Sequence, residues 1–480
     1  MTRIFLLLLV LAAPAAARTL GEIEFKPCRV SLPHGAGYRA ECAGLGVAEN
    51  PAEPQGRRLR LRLALVPART SKPKPDLLVL LAGGPGQSAV ESYPQAAGAF
   101  APLLRERSLL LVDQRGTGGS NKLSCPLPDY GEVRQLEPTA ARVQAMECLK
   151  DIGDLADPVF YTTNDYIRDL ETVRAALGSP QFNLLGGSYG TRVALEYLRR
   201  HPDALRSVVL DAVVPPELAL LQEHSRNLDE AVARTFELCR KDPACLTRFG
   251  DPQKTLAELR AELKAHPRHV RFRDPMSNKP RDESMNDGSL AGVLRFFSYQ
   301  PEAASLLPLL LDEARHDRPE ALMAQLPNLQ SLGDQLAHGM ELSVICSEDA
   351  DLLRADPADE ARILGADMIP YVQAQCEIWP FAKRPADFKQ PVRSGKPVLL
   401  LSGELDPVTP PRYGEQVLKH LDNARHLVAR GQGHTVMMRG CVPRLVSEFI
   451  SKLQPRELDA SCLSALGYVP AFVSDQGPAP

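Results

Sequence analysis

The sequence predicts an α/β fold: a mostly parallel central sheet with helices on both faces, divided by one mostly helical insertion. Three observations predict it. Short runs at 77–81, 109–112, 182–185, 208–213 and 397–401 are apolar or nearly so. Strands covered by helices on both faces read this way, whereas a half-exposed strand alternates. Helical spacing separates several of these runs, as at 164–177, where Ile167, Leu170, Val173 and Leu177 share one face. Strand-like runs then thin out between 217 and 390, where helical spacing dominates, and return at Pro397.

Length and composition bound the rest. A chain of 480 residues with 44% hydrophobic content is long enough for one α/β core with a large insertion. A net charge of −3 gives no footprint for nucleic acid or an anionic membrane. Residues 1–17 combine Arg3, an apolar run from Ile4 to Ala13, and the small residues Ala15-Ala16-Ala17. This is the pattern of a secretory signal peptide cut before Arg18. The apolar run is too short for a comfortable membrane span, so stable membrane insertion is not expected. Export changes how the cysteines are read. Cys28, Cys42, Cys125, Cys148, Cys239, Cys245, Cys346, Cys376, Cys441 and Cys462 make an even count, and successive members are expected to pair as disulfides. Metal binding is the competing reading, but no Cys-x-x-Cys pair supports it.

In chain order, the first core part is expected at 18–216. Two short strands surround Cys28 and Cys42. The run 58–65 alternates polar and apolar residues and predicts a half-exposed antiparallel strand near the sheet edge. The central strands 77–81 and 109–112 run into Ala82-Gly83-Gly84-Pro85-Gly86 and into Asp113-Gln-Arg-Gly-Thr-Gly-Gly-Ser120. Residues 125–155 predict a loop and helix, and Thr163-Asn-Asp165 caps the helix that follows. The insertion at 217–390 has helical spacing at 218–221, 228–238 and 256–263, interrupted by a hairpin at 269–280. The hairpin's basic residues lack an aromatic platform, which argues for a solvated surface rather than a nucleic-acid site. The second core part, 391–462, holds strands at 397–401 and 425–429 and helices at 412–421 and 442–453. Residues 463–480 form a Pro-rich tail.

One stretch carries chemistry. Strand 182–185 runs into Gly186-Gly187-Ser188-Tyr189-Gly190, and an amphipathic helix follows at once. Strand, Gly-x-Ser-x-Gly and helix in that order predict a nucleophile elbow. A serine hydroxyl needs a base, and the base needs an orienting acid. His434, in Gly431-Gln-Gly-His434 directly after the last strand, is the expected base. Asp406, in Gly403-Glu-Leu-Asp-Pro-Val-Thr-Pro410, is the expected acid, with Glu404 as its competitor. The order Ser188, Asp406, His434 is that of α/β-hydrolases. Each lies past the carboxyl end of an apolar strand, where open α/β sheets place their ligand crevice. The expected oxyanion donors are the backbone N–H groups of Tyr189 and Gly84, with Gly83 as an alternative to Gly84.

Taken together, these five glycine-rich motifs resemble the prolyl aminopeptidase and tripeptidyl aminopeptidase branch of the α/β-hydrolases. The resemblance covers nearly the whole mature chain. It implies an α/β-hydrolase fold with an inserted helical cap at 217–390, peptide substrates, and acidic cap residues that hold the substrate ammonium. Ile345-Cys-Ser-Glu-Asp349 resembles the Cys-x-acid signature of the tripeptidyl branch and implies substrate binding by Glu348. Cys376-Glu-Ile-Trp-Pro380 resembles its disulfide partner segment and implies a pocket role for Trp379. Ala82 departs from the His that precedes Gly-Gly-Pro-Gly in many prolyl aminopeptidases, which shifts the likeness towards the tripeptidyl branch.

The expected protein is thus an exported serine hydrolase, an aminopeptidase that needs no metal or cofactor. An esterase or lipase would use the same machinery with a different pocket. A binding protein on the same fold would have no use for the three groups.

Overall fold

The structure, a computed structural model of the chain, describes residues 17–32, 35, 37–125, 137–333 and 335–479. The expected signal peptide lies outside the described residues except for Ala17.

The strands are β1 (Arg18–Leu20), β2 (Ile23–Val30), β3 (Tyr38–Ala48), β4 (Arg58–Val66), β5 (Leu77–Leu81), β6 (Leu109–Val112), β7 (Phe182–Gly187), β8 (Leu205–Asp211), β9 (Arg268–Arg273), β10 (Pro280–Met285), β11 (Val398–Gly403) and β12 (Ala424–Ala429). Ten of them form one sheet in the order β1-β2-β3-β4-β6-β5-β7-β8-β11-β12. From β6 to β12 every pairing is parallel, and β1 to β4 add an antiparallel wing. The fold is therefore α/β with a mostly parallel centre.

Alternation along each strand explains why the central runs are apolar. Val79, Leu81, Leu110, Leu184 and Leu400 face a core shared with the helices Thr163–Ala176 and Tyr189–Arg200. Leu78, Leu109, Leu111, Leu185 and Leu399 face the opposite core, shared with the helices Ala89–Ala96 and Val442–Lys452. Successive side chains point to opposite faces, so both must be apolar. The capping expected near Thr163 is present one residue earlier. The Thr162 side chain accepts from the Asp165 N–H, and Asp165 accepts from the Thr162 N–H.

Two expectations change. The alternating strand β4 is not near an edge: β1, β2 and β3 continue the sheet beyond it. Its alternation records solvent on one face at its start, not an unpaired side. Residues 218–221 form a turn rather than a helix, and Leu221 at φ 75° is left-handed, a conformation a helix cannot carry on through.

The insertion packs in two ways. Leu228, Phe236, Leu259, Leu263, Phe272, Leu290, Leu294 and Leu311 build a third apolar cluster of its own. Met340, Val344, Ile345 and Trp379 instead join the main core beside the Thr163–Ala176 helix. The ten cysteines form Cys28–Cys42, Cys125–Cys148, Cys239–Cys245, Cys346–Cys376 and Cys441–Cys462. Each bridge closes a short local loop. No helix among the described residues is long and apolar enough to cross a membrane.

Candidate active site

Strand β7 ends in Gly187, and the helix Tyr189–Arg200 begins two residues later. Between them Ser188 sits at φ 54°, ψ −123°, in the left-handed region. Such a residue costs on the order of 1–3 kcal/mol and persists only where its surroundings fix it. Here the Ser188 N–H donates to the Asp211 carbonyl at 2.9 Å, and the Thr191 hydroxyl donates to the Ser188 carbonyl at 2.7 Å. Glycine is required on the helix side, since a Cβ on Gly190 would lie 2.1 Å from the Leu81 carbonyl oxygen. That close approach brings the turn after β5 to the elbow. A Cβ on Gly83 would lie 3.1 Å from the Ser188 Cβ, and Gly84 at φ 101° turns the backbone there. Gly83, Gly84, Ser188 and Tyr189 are thus neighbours.

Asp406 follows β11 and is buried. Its Oδ1 accepts from the Val408 and Thr409 N–H groups, both at 2.8 Å, and its Oδ2 accepts from the Thr409 hydroxyl at 2.8 Å. His434 Nδ1 lies 3.0 and 2.9 Å from the two carboxylate oxygens. Burial opposes the charge on both groups. It is outweighed, so that each partner's charge and hydrogen bond hold Asp406 below and His434 above their usual values. Glu404, the competitor, is occupied elsewhere. It accepts from the Gly431 N–H at 2.8 Å and the Tyr468 hydroxyl at 3.0 Å, bracing the His434 loop.

Several groups at this site had no motif to announce them. Thr409 is one; an Asp and Thr three residues apart in a loop is the only signal it carries. Asp211, at the end of β8, accepts from the Val436 N–H with both oxygens at 2.9 Å and from the Met437 N–H at 2.8 Å. It ties down the chain just past His434, where Thr435 is left-handed at φ 63°. Burial pushes the Asp211 carboxyl up to about 6 against those hydrogen bonds. Tyr299, from the insertion, accepts the His434 N–H on its carbonyl at 2.8 Å and sets its ring edge-on to the imidazole at 5.1 Å. His224, at the start of the helix His224–Lys241, has a buried Nδ1 with no hydrogen-bond partner. Burial, then the charges of Arg295 and His434, lower it to about 3, so it is neutral.

Two residues lie elsewhere than expected. Glu348 and Trp379 are each only 1% exposed. Their neighbours Ile345 and Cys346, and Trp379 itself, belong to the main core. The Trp379 indole N–H donates to the Ser343 hydroxyl at 3.1 Å. Both Glu348 oxygens accept from Thr163, from its N–H at 2.7 Å and its hydroxyl at 3.0 Å. Arg192 lies 3.9 Å away and pairs more closely with Asp349, at 2.7 Å. What the insertion does bring to the glycine turn after β5 is Ala337. The Ala337 N–H donates to the Gly86 carbonyl at 3.0 Å, and Glu341 stands one helical turn on, half-buried and paired with His338 at 2.9 Å.

Ser188 on a strained strand-to-helix turn and the buried Asp406–His434 pair, each just past the end of a sheet strand, make up the candidate site. The family model described as alpha/beta hydrolase fold matches residues 76–440, and the chain belongs to that family. It is 24% identical to a tripeptidyl aminopeptidase of Streptomyces lividans, over 94% of this chain and 88% of that one. It is also 24% identical to the serine protease Hip1 of Mycobacterium bovis, over 91% and 90% of the two chains. A proline iminopeptidase of Aeromonas sobria is 30% identical over 39% of each chain. The chain is a hydrolase whose named relatives include peptidases.

Proposed function

We propose that the protein is an exported serine aminopeptidase, releasing short peptides or single residues from free amino termini. The carrying observation is the buried Asp406–His434 pair, whose Nδ1 contact leaves Nε2 to serve Ser188. In this reading Ser188 Oγ attacks the scissile carbonyl and its proton passes to His434 Nε2. The Tyr189 and Gly84 N–H groups hold the oxyanion. The C–N bond then breaks and the departing amine takes the proton back from His434, leaving an ester on Ser188. Water attacks that ester with His434 again as base, and the acyl product leaves as a carboxylic acid. Asp406 orients the imidazole and stabilises its cation.

The peptidase names of the relatives favour an amide substrate. The acidic group for its ammonium is Glu341. It lies one helical turn from the contact with the Gly86 carbonyl. Five disulfides support export, with a mature chain that starts at Arg18.

The test is labelling by a fluorophosphonate probe, followed by turnover of matched peptides with free and blocked amines. Wild type is expected to label and Ser188→Ala is not, with a loss on the order of 10⁴-fold or more in kcat. Free-amine peptides are expected to be the better substrates. An unlabelled wild type would sink the hydrolase mechanism. Equal turnover of blocked peptides, or turnover of simple esters alone, would replace the aminopeptidase by an esterase. Mass spectrometry of the exported protein should find Arg18 first; an intact Met1 would remove the export reading.

A further inference from the structure

The enclosed carboxylate of Glu348 lies in a chain of hydrogen bonds that ends on the residue after the nucleophile. Thr163 donates to it twice. The Thr163 hydroxyl also meets the Tyr189 hydroxyl at 2.7 Å, and Gln114 Nε2 donates to the Tyr189 oxygen at 3.3 Å. Proton counting sets the direction. Burial raises the Glu348 carboxyl above its usual value; in its ionised form it only accepts, so the single Thr163 hydroxyl proton then points to Glu348 and Tyr189 donates to Thr163. Gln114, Tyr189, Thr163 and Glu348 are all buried, and they come from four separate stretches of chain. They are the loop after β6, the elbow helix, the start of the helix Thr163–Ala176 and the end of the helix His338–Glu348. The Cys346–Cys376 bridge ties that last helix to the helix Met368–Cys376.

We propose that Glu348 is a positioning residue for the oxyanion side of the active site, acting through Thr163 and the Tyr189 hydroxyl. Tyr189 supplies one expected oxyanion donor from its backbone and one link of the chain from its side chain. Fixing the phenol at its far end fixes the first turn of the elbow helix, where donor direction decides how well the oxyanion is held. The inference rests on the proposed roles of Ser188 and the Tyr189 N–H. It gives Glu348 a function that does not depend on what the substrate carries at its amino terminus.

That independence is what the experiment reads. Tyr189→Phe, Thr163→Val and Glu348→Leu each remove the link while keeping similar bulk. Removing an oxyanion donor outright costs about 10²–10³ in kcat, so misdirecting one is expected to cost about tenfold. The loss should fall on kcat with KM little changed, and equally on a free-amine peptide, its blocked counterpart and an activated ester. In a double-mutant cycle, Glu348→Leu should cost little more once Tyr189→Phe is present. Tyr189→Phe keeps the buried carboxylate and its Thr163 donors, so it reads the link even where Glu348→Leu fails to fold. A KM increase confined to free-amine peptides would make Glu348 a substrate anchor and overturn the inference. Additive losses in the cycle, or a Tyr189→Phe enzyme with wild-type kcat on all three substrates, would also overturn it. A wild type that takes no fluorophosphonate label would refute the hydrolase mechanism, and this inference with it; the other failures leave that mechanism standing.

Discussion

Replacing Asp211 with Asn should favour stability increasingly as pH rises while impairing activity. Asp211 is buried, and its carboxyl is pushed up to about 6. An unfolded Asp titrates near 3.9, so folding raises this pKa by about two units, or about 3 kcal/mol. The sign follows from proton counts. Between about pH 4 and pH 6 the native state holds a proton that the unfolded state has released, so stability falls with rising pH, by about 1.4 kcal/mol per unit at most. The group's favourable contribution is complete below about pH 4 and gone above about pH 6. Asn, like the protonated carboxyl, carries no charge, but it has one acceptor oxygen and an NH2 group with two donors. Relative to wild type, the variant should gain up to about 3 kcal/mol between pH 4 and pH 7, on top of a pH-independent cost for the backbone bonds its NH2 cannot accept. Activity should move the other way. The Asp211 charge helps raise His434, so its removal should shift the acid limb of kcat/KM to lower pH. The loop past His434 should also lose part of its three-bond clamp. Denaturant unfolding across this pH range, with a pH–rate profile, tests both. A stability difference that does not grow with pH, or an acid limb that stays in place, would refute the reasoning.

Other outcomes follow from the same contacts. Thr409→Val keeps the side-chain shape but removes the hydroxyl bond to Asp406 Oδ2; a hydrogen bond to a charged group is worth about 1.5–3 kcal/mol. Up to that amount should appear as lost stability, with kcat down about tenfold on every substrate; unchanged kinetics would remove Thr409 from the site. Glu341→Gln should raise KM for free-amine peptides and leave blocked ones alone, as steady-state kinetics on matched substrates will show. Gly190→Ala drives a Cβ against the Leu81 carbonyl and should cost 3 kcal/mol or more, roughly the upper end for overpacking, as read by thermal unfolding.

Much of this molecule was legible in its sequence because the relevant physics is local. A strand buried on both faces must be apolar at every position, which made 77–81 and 109–112 plain. A Gly-x-Ser-x-Gly between strand and helix can be read because Gly190 and Leu81 cannot otherwise approach. Asp406 rather than Glu404 meets the histidine because the Asp–Pro turn carries its carboxylate past the strand end, while Glu404 reaches back to Gly431. What stayed hidden depends on partners distant in the chain. Alternation in β4 shows one wet face but not how many strands lie beyond it. Helical spacing at 218–221 says nothing about a left-handed Leu221. The acidic pair Glu348-Asp349 reads as surface charge or as a binding site because its burial is imposed by Arg192 and Thr163, more than 150 residues away.

The separate apolar cluster of the insertion has an evolutionary consequence. Residues from Leu228 to Leu329 are held together by contacts among themselves, while the Asp–His pair is held by the sheet. Side chains within that cluster are therefore free to drift without disturbing the Asp–His pair. Several fastenings limit that freedom: the Tyr299 carbonyl meets the His434 N–H, Arg412 pairs with Glu230 at 2.7 Å, and Arg439 pairs with Glu302 at 2.7 Å. The two parts of the chain can in this sense vary separately, except where these few contacts join them.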